Sequence, residues 1–127
     1  MRISKRFFLG IGIVIVIFAI IIIKKAGNGT EDGAYDNFAK CLTENGVKMY
    51  GAYWCTHCNN QKKEFGKSWQ YIDYIECSLP NNSGQTQICS LAGINAYPTW
   101  EFQGGEKIEG ELSFEELAGR SGCLLEK

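Results

Sequence analysis

The chain has 127 residues, 45% of them hydrophobic, with 13 Lys and Arg against 14 Asp and Glu and a formal net charge of -1. The charge is unevenly spread: residues 1–25 carry five basic side chains and no acid, while residues 26–127 carry eight basic groups against all fourteen acids, a balance of -6. An acidic domain excludes nucleic acid as a partner, because phosphate binding needs a basic surface, and the length leaves room for one soluble domain of about 100 residues and no second.

The basic residues at the front flank FFLGIGIVIVIFAIIII, residues 7–23, a run of seventeen without a charge. As a helix rising ~1.5 Å per residue it covers roughly 26 Å, and snorkelling of Lys24 and Lys25 extends it across a bilayer core of ~30 Å. A cleaved signal peptide shares the charged start and apolar middle. This run is long and rich in Ile, and no small-x-small site follows it, so residues 1–25 read as an uncleaved signal anchor. Arg2, Lys5 and Arg6 before the span outweigh Lys24 and Lys25 after it, which favours an amino terminus on the inner side of the cell membrane and a domain on the extracytoplasmic side. Residues 26–33, AGNGTEDG, form a flexible tether, and the domain occupies 34–127.

Within the domain, residues 34–44 set Phe38, Cys41 and Leu42 at helical spacing before the stop signal Asn45-Gly46. Residues 47–54, VKMYGAYW, read as a buried strand. A helix follows over 55–65, closed by Gly66, and a second strand over 71–77, YIDYIEC. Pro80, Asn81, Asn82 and Gly84 mark a loop before a short helix over 85–92. Residues 99–103 and 107–110 pair as a hairpin across Gly104-Gly105, and 114–120 is the last helix. The pattern α-β-α-β-α-β-β-α implies a mixed four-stranded sheet with helices on both faces.

Six cysteines in a domain expected outside a membrane permit disulfides. Cys55 and Cys58, in YWCTHC, lack a second ligand pair at compact spacing, so no metal site is expected. An inert bridge over two residues closes too small a loop to contribute much stability. The redox reading has a mechanism. If Cys55 caps the helix, its sulfur sits at the positive end of the helix dipole, where the thiolate is favoured, and Cys58, one turn further in, is the buried resolving thiol. His57 between them stabilises the Cys55 thiolate in this reading, and stabilising the reduced form makes a stronger oxidant. No cofactor beyond the dithiol is required. Trp54 is expected to shield it. Trp69 and Trp100 read as packing, Tyr50, Tyr53, Tyr71 and Tyr74 as ordinary strand residues, and Glu111, Glu115 and Glu116 as a solvated helix start.

YGAYWCTHC, a second strand ending in Cys77, and AYPTW before the closing hairpin resemble the thioredoxin fold without its first strand. More narrowly, FAKCL, KMYGAYWCTHCNNQKKEFG, YIDYIECS and INAYPTWEF resemble the thioredoxin-like domain fused to, or partnered with, bacterial vitamin K epoxide reductase homologues. The resemblance implies a periplasmic or extracytoplasmic thiol-disulfide oxidoreductase that passes the Cys55-Cys58 disulfide to cysteine-containing proteins and is reoxidised by a quinone-linked membrane partner of that reductase type. It further implies Cys55 as attacking and Cys58 as resolving thiol, Pro98 as a cis-proline facing them, Tyr97 and the spacer residue Thr56 beside the substrate, and a structural disulfide between Cys77 and Cys89. In the implied fold the first and last helices run toward the same end of the sheet, which allows a third disulfide, Cys41 to Cys123. Met49 stands where many thioredoxins carry a buried acid, with Glu76 as a substitute candidate. Two other functions share these features: a thiol reductase or isomerase of the same fold, and a non-catalytic membrane-tethered binding module.

Overall fold

A computed structural model of the chain describes residues 33–126. The anchor expected over 1–25, with its span 7–23, and the tether up to residue 32 lie outside the described residues. Among the described residues no helix is long and apolar enough to cross a membrane.

Helix α1, Asp36–Glu44, buries Phe38, Ala39 and Leu42, the i, i+1, i+4 set that forms one stripe at 3.6 residues per turn. Its end is set by Asn45, whose N–H bonds the Cys41 carbonyl, and by Gly46 at φ 73°. The next elements are β1 (Lys48–Gly51), α2 (Thr56–Phe65), β2 (Asp73–Glu76), α3 (Gln87–Leu91), β3 (Thr99–Glu101), β4 (Lys107–Glu109) and α4 (Phe114–Ser121). The sheet order is β2-β1-β3-β4, with β1 parallel to β2 and antiparallel to β3, and β3 antiparallel to β4. The expected alternation and mixed four-stranded sheet are therefore present.

Strand pleating divides the core. Met49 and its cross-strand partner Trp100 point to one face, where they join Phe38 and Leu42 of α1, Phe65 of α2 and Leu117 of α4. Tyr50, one residue on, points to the other face and packs with Cys77, Cys89 of α3 and Ile94. The larger face is rich in aromatic contacts: Phe65 lies 4.6 Å from Phe114 and 6.3 Å from both Phe38 and Trp100 between ring centroids. Such rings contribute large buried areas and favour tilted pairings.

Two stretches differ from the sequence expectation. The first strand ends at Gly51, not at 54, because the Cys55 N–H folds back onto the Ala52 carbonyl at 3.0 Å; Tyr53 and Trp54 are thereby turned outward and are about half exposed, 49% and 48%. Residues Gly66–Tyr71 form a 3-10 helix that no pattern announced. Gly66 at φ 56° ends α2, and the extra turn lets Trp69 reach Phe65 and Tyr74 at 5.9 and 5.6 Å. The hairpin turns at Gly104 and Gly105, both at positive φ, and α4 begins with a capping box between Ser113 and Glu116.

One buried polar side chain ties α2 to the rest. Gln61, fully buried, accepts from the Trp100 indole N–H (3.2 Å) and the Leu112 N–H (2.9 Å), and donates to the Leu112 carbonyl (3.0 Å) and the Glu64 carboxylate (2.8 Å). Replacing it with Leu would leave the Leu112 N–H and carbonyl and the Trp100 N–H buried without partners. Gln61→Leu is expected to lower unfolding free energy by about 2–4 kcal/mol in denaturant titration; a loss within experimental error would show that the network is not structural.

Candidate active site

Cys55 is the N-cap of α2, with extended backbone (φ -75°, ψ 118°), and its Sγ accepts the Cys58 N–H at 3.1 Å. The sulfur thus takes the place of the oxygen that usually caps a helix and meets the unpaired donors of the first turn, where negative charge is stabilised. Cys55 is 6% exposed and Cys58 wholly buried, and both are free thiols. Burial, followed by the neighbouring Cys55, pushes the Cys58 thiol up to about 12, and contact with the Ala52 backbone and the charge of Lys62 pull it back only partly. The two thiols are accordingly unlike: one sits at a helix terminus beside open space, and the other is sealed beneath it.

Around Cys55 lies an open cleft of about 510 Å³ lined by Trp54, Thr56, His57, Asn95, Ala96 and Tyr97. Trp54 is fixed by donating its indole N–H to Ser78 Oγ at 2.8 Å and by an edge contact with the Tyr97 ring at 6.0 Å. Tyr97 is held in turn through its hydroxyl, which accepts from Gln85 Nε2 at 2.7 Å. The Tyr97-Pro98 bond is cis and Pro98 is buried. The structure therefore gathers Trp54, Cys55, Thr56, His57 and Tyr97 around one opening, with Cys58 beneath.

His57 is oriented differently from the sequence expectation. Its Nδ1 lies 2.6 Å from Glu111 Oε1, which also accepts from Asn60 Nδ2 at 3.2 Å, whereas the polar contact of the Cys55 sulfur is to the Cys58 N–H. Glu111 is held below the usual carboxylate range by the His57 bond first and the Asn60 bond second. Glu111 was expected to be merely solvated; it is instead the partner of the spacer histidine, brought from the β4–α4 connection across 54 residues of sequence. No local pattern announces such a contact.

The other four cysteines are paired. Cys77 at the end of β2 bonds Cys89 of α3, and Cys41 of α1 bonds Cys123 just beyond α4, with Cα separations of 5.5 and 5.9 Å. Asn45 reinforces the second junction by donating to the Ser121 carbonyl at 3.0 Å. Among the described residues no group of three or more His, Cys, Asp or Glu could hold a metal ion.

No protein-family model matches the chain. It is similar to the thiol-disulfide oxidoreductase LTO1 of Arabidopsis thaliana, with 38% identity over 93 residues, which is 70% of this chain and 24% of that protein. The chain thus spans about a quarter of the length of the curated relative it matches. The described residues form a thioredoxin-like α/β domain that is homologous to one segment of a thiol-disulfide oxidoreductase.

Proposed function

We propose that the protein is an extracytoplasmic thiol-disulfide oxidoreductase, anchored in the cell membrane through residues 7–23, that donates the Cys55-Cys58 disulfide to folding proteins. One observation carries this reading. Of the six cysteines, only Cys55 and Cys58 are unpaired, and they sit at a helix start with Cys55 bordering a cleft, while the other four are locked in disulfides that tie elements together. The similarity to a protein named as a thiol-disulfide oxidoreductase supports the same chemistry.

In the donating direction a substrate thiolate attacks Sγ of Cys55, the Cys55-Cys58 bond breaks, and the Cys58 sulfur leaves with the electron pair and takes up a proton. A second substrate thiolate then attacks the substrate sulfur of the mixed disulfide and releases Cys55. The substrate loses two electrons, and the protein ends as the dithiol. Attack is directed to Cys55 because it borders the cleft, whereas Cys58 is enclosed. Trp54 and Tyr97 offer apolar surface to residues flanking the substrate cysteine. Reoxidation by a quinone-linked membrane partner of the vitamin K epoxide reductase type closes the cycle; this part rests on the family resemblance of the sequence.

Replacing Cys58 with Ser is expected to trap substrates as mixed disulfides on Cys55, visible as reductant-sensitive high-mass species in non-reducing gels. An empty trap would count decisively against catalysis and in favour of a binding module. The reduction potential of the Cys55-Cys58 pair is expected at about -120 to -180 mV, the range of disulfide donors. A value near about -270 mV would instead make the protein a reductase.

A further inference from the structure

Donation and resolution both require the enclosed Cys58 sulfur to exchange a proton with water, and Met49 offers no carboxylate to carry it. We propose that Tyr74 and Glu76, on the neighbouring strand, form the proton path of Cys58, with the Tyr74 hydroxyl as the carrier and the Glu76 carboxylate as its exchange point with solvent. The proposal rests on the exchange chemistry assigned to the dithiol above.

The geometry begins with a missing side chain. A Cβ on Gly51 would fall 3.0 Å from Cys58 Sγ, 3.1 Å from Tyr74 Oη and 2.8 Å from Tyr74 Cε2. Sulfur and hydroxyl therefore converge on the same small volume, which is open because residue 51 is glycine. From there the Tyr74 hydroxyl donates to Glu76 Oε2 at 2.8 Å. Glu76 is fixed from its other oxygen, since Oε1 accepts the Tyr53 N–H at 3.2 Å and the Ser78 N–H at 2.9 Å. Cys58 is wholly buried, whereas Tyr74 and Glu76 are half-buried, so the series runs from the interior to the surface.

Strand register explains the placement. Met49 pairs with Tyr74 and Gly51 with Glu76, so all four side-chain positions share the face on which α2 lies. The charged and titratable groups facing the path are Cys55, Lys62 and Glu76. Lys62 Nζ sits 3.9 Å above the Tyr74 ring centroid, and its charge favours the Cys58 thiolate. Burial, then the bond to Glu76, pushes the Tyr74 hydroxyl well above its ordinary value. It therefore stays protonated and acts by receiving one proton as it passes on another.

For resolution, the Cys58 S–H proton moves to Tyr74 Oη as the hydroxyl proton moves to Glu76. The Cys58 thiolate then attacks Cys55 Sγ and expels the bound thiolate, and Glu76 loses its proton to water. Donation runs the same transfers in reverse, with water supplying the proton.

The test uses the reduced protein and oxidised glutathione. Attack by Cys55 gives a Cys55-glutathione adduct and one glutathione; attack by Cys58 on that adduct releases the second. Quenched-flow mass spectrometry resolves the two steps. In Tyr74→Phe and Glu76→Gln, adduct formation is expected to match wild type, while adduct lifetime near neutral pH lengthens by roughly 10²-fold, the lower end of what a positioned proton carrier contributes. Burial still raises the Cys58 thiol in the adduct, so the gap should narrow as pH rises and a growing share of the thiol ionises unaided. Glu76→Gln keeps the shape of the side chain but cannot accept a proton, and Glu76→Asp should restore part of the rate. Unchanged adduct lifetimes in both variants, or equal slowing of both steps at every pH, would overturn the proposal. A wild-type protein that forms no adduct would overturn it together with the exchange reading, an outcome distinct from a failure confined to the variants.

Discussion

The approach of α2 to the sheet at Gly51 is the contact on which the site depends. Any side chain there would meet the Tyr74 ring at 2.8 Å and Cys58 Sγ at 3.0 Å, so a larger residue would push the helix off the strand or the sulfur out of its enclosure. The Gly51 backbone is also engaged, because its carbonyl accepts the Cys77 N–H at 2.8 Å. A glycine inside a strand often marks such close approach. Here it allows one cysteine of the pair to be enclosed while the other, a turn earlier, reaches the cleft, and the difference between the two thiols follows from that.

Two disulfides and one buried amide keep this approach rigid. Cys77-Cys89 fastens α3 to the end of β2, directly after Glu76, and Cys41-Cys123 joins α1 to the chain beyond α4 across 82 residues. Closing a loop of that length restricts the unfolded chain most, and the model-dependent entropy term reaches about 4.5 kcal/mol. Gln61 performs the local task on α2 itself, three residues after Cys58, by bonding Trp100 of β3 and Leu112. The helix that carries the dithiol is thus pinned one turn beyond Cys58 to β3 and to the β4–α4 connection, which limits how far the sulfurs can drift from the cleft.

Much of this was legible in the sequence. Helix stripes, the stops at Asn45-Gly46 and Gly66, the Gly104-Gly105 turn and the Cys-x-x-Cys at a strand-to-helix junction are local signals, and the elements they announce are present. The thioredoxin-like pattern of AYPTW was readable as well, and the Tyr97-Pro98 bond is cis. What could not be read are contacts that depend on tertiary approach. Tyr53 and Trp54 continue an apolar run and look like strand, but the Ala52–Cys55 turn rotates them outward. The 3-10 helix at Gly66–Tyr71 is held by Trp69 packing, which has no period. Tyr74 looked like an ordinary strand residue and Glu111 like a solvated acid, because nothing near either in sequence reveals Cys58 or His57 as its neighbour.

The position of the acid also follows from the sheet order. Residue 49 lies on β1, which is flanked by β2 and β3, and its side chain is wholly buried beside Trp100. A carboxylate there would carry a heavy desolvation cost unless paired, and it would reach water only through the protein. Methionine at that site completes the apolar face instead. Strand β2 is an edge strand, so a carboxylate on it at residue 76 can lie half in solvent and still accept two backbone N–H groups and the Tyr74 hydroxyl. The aromatic ring of Tyr74 spans the intervening distance, covering apolar surface along its length and presenting a polar group at its tip. A buried sulfur is thereby joined to a half-exposed carboxylate without fully burying the charge, and the same edge strand is shielded from foreign pairing by its shortness and by the exposed Asp73 at its start.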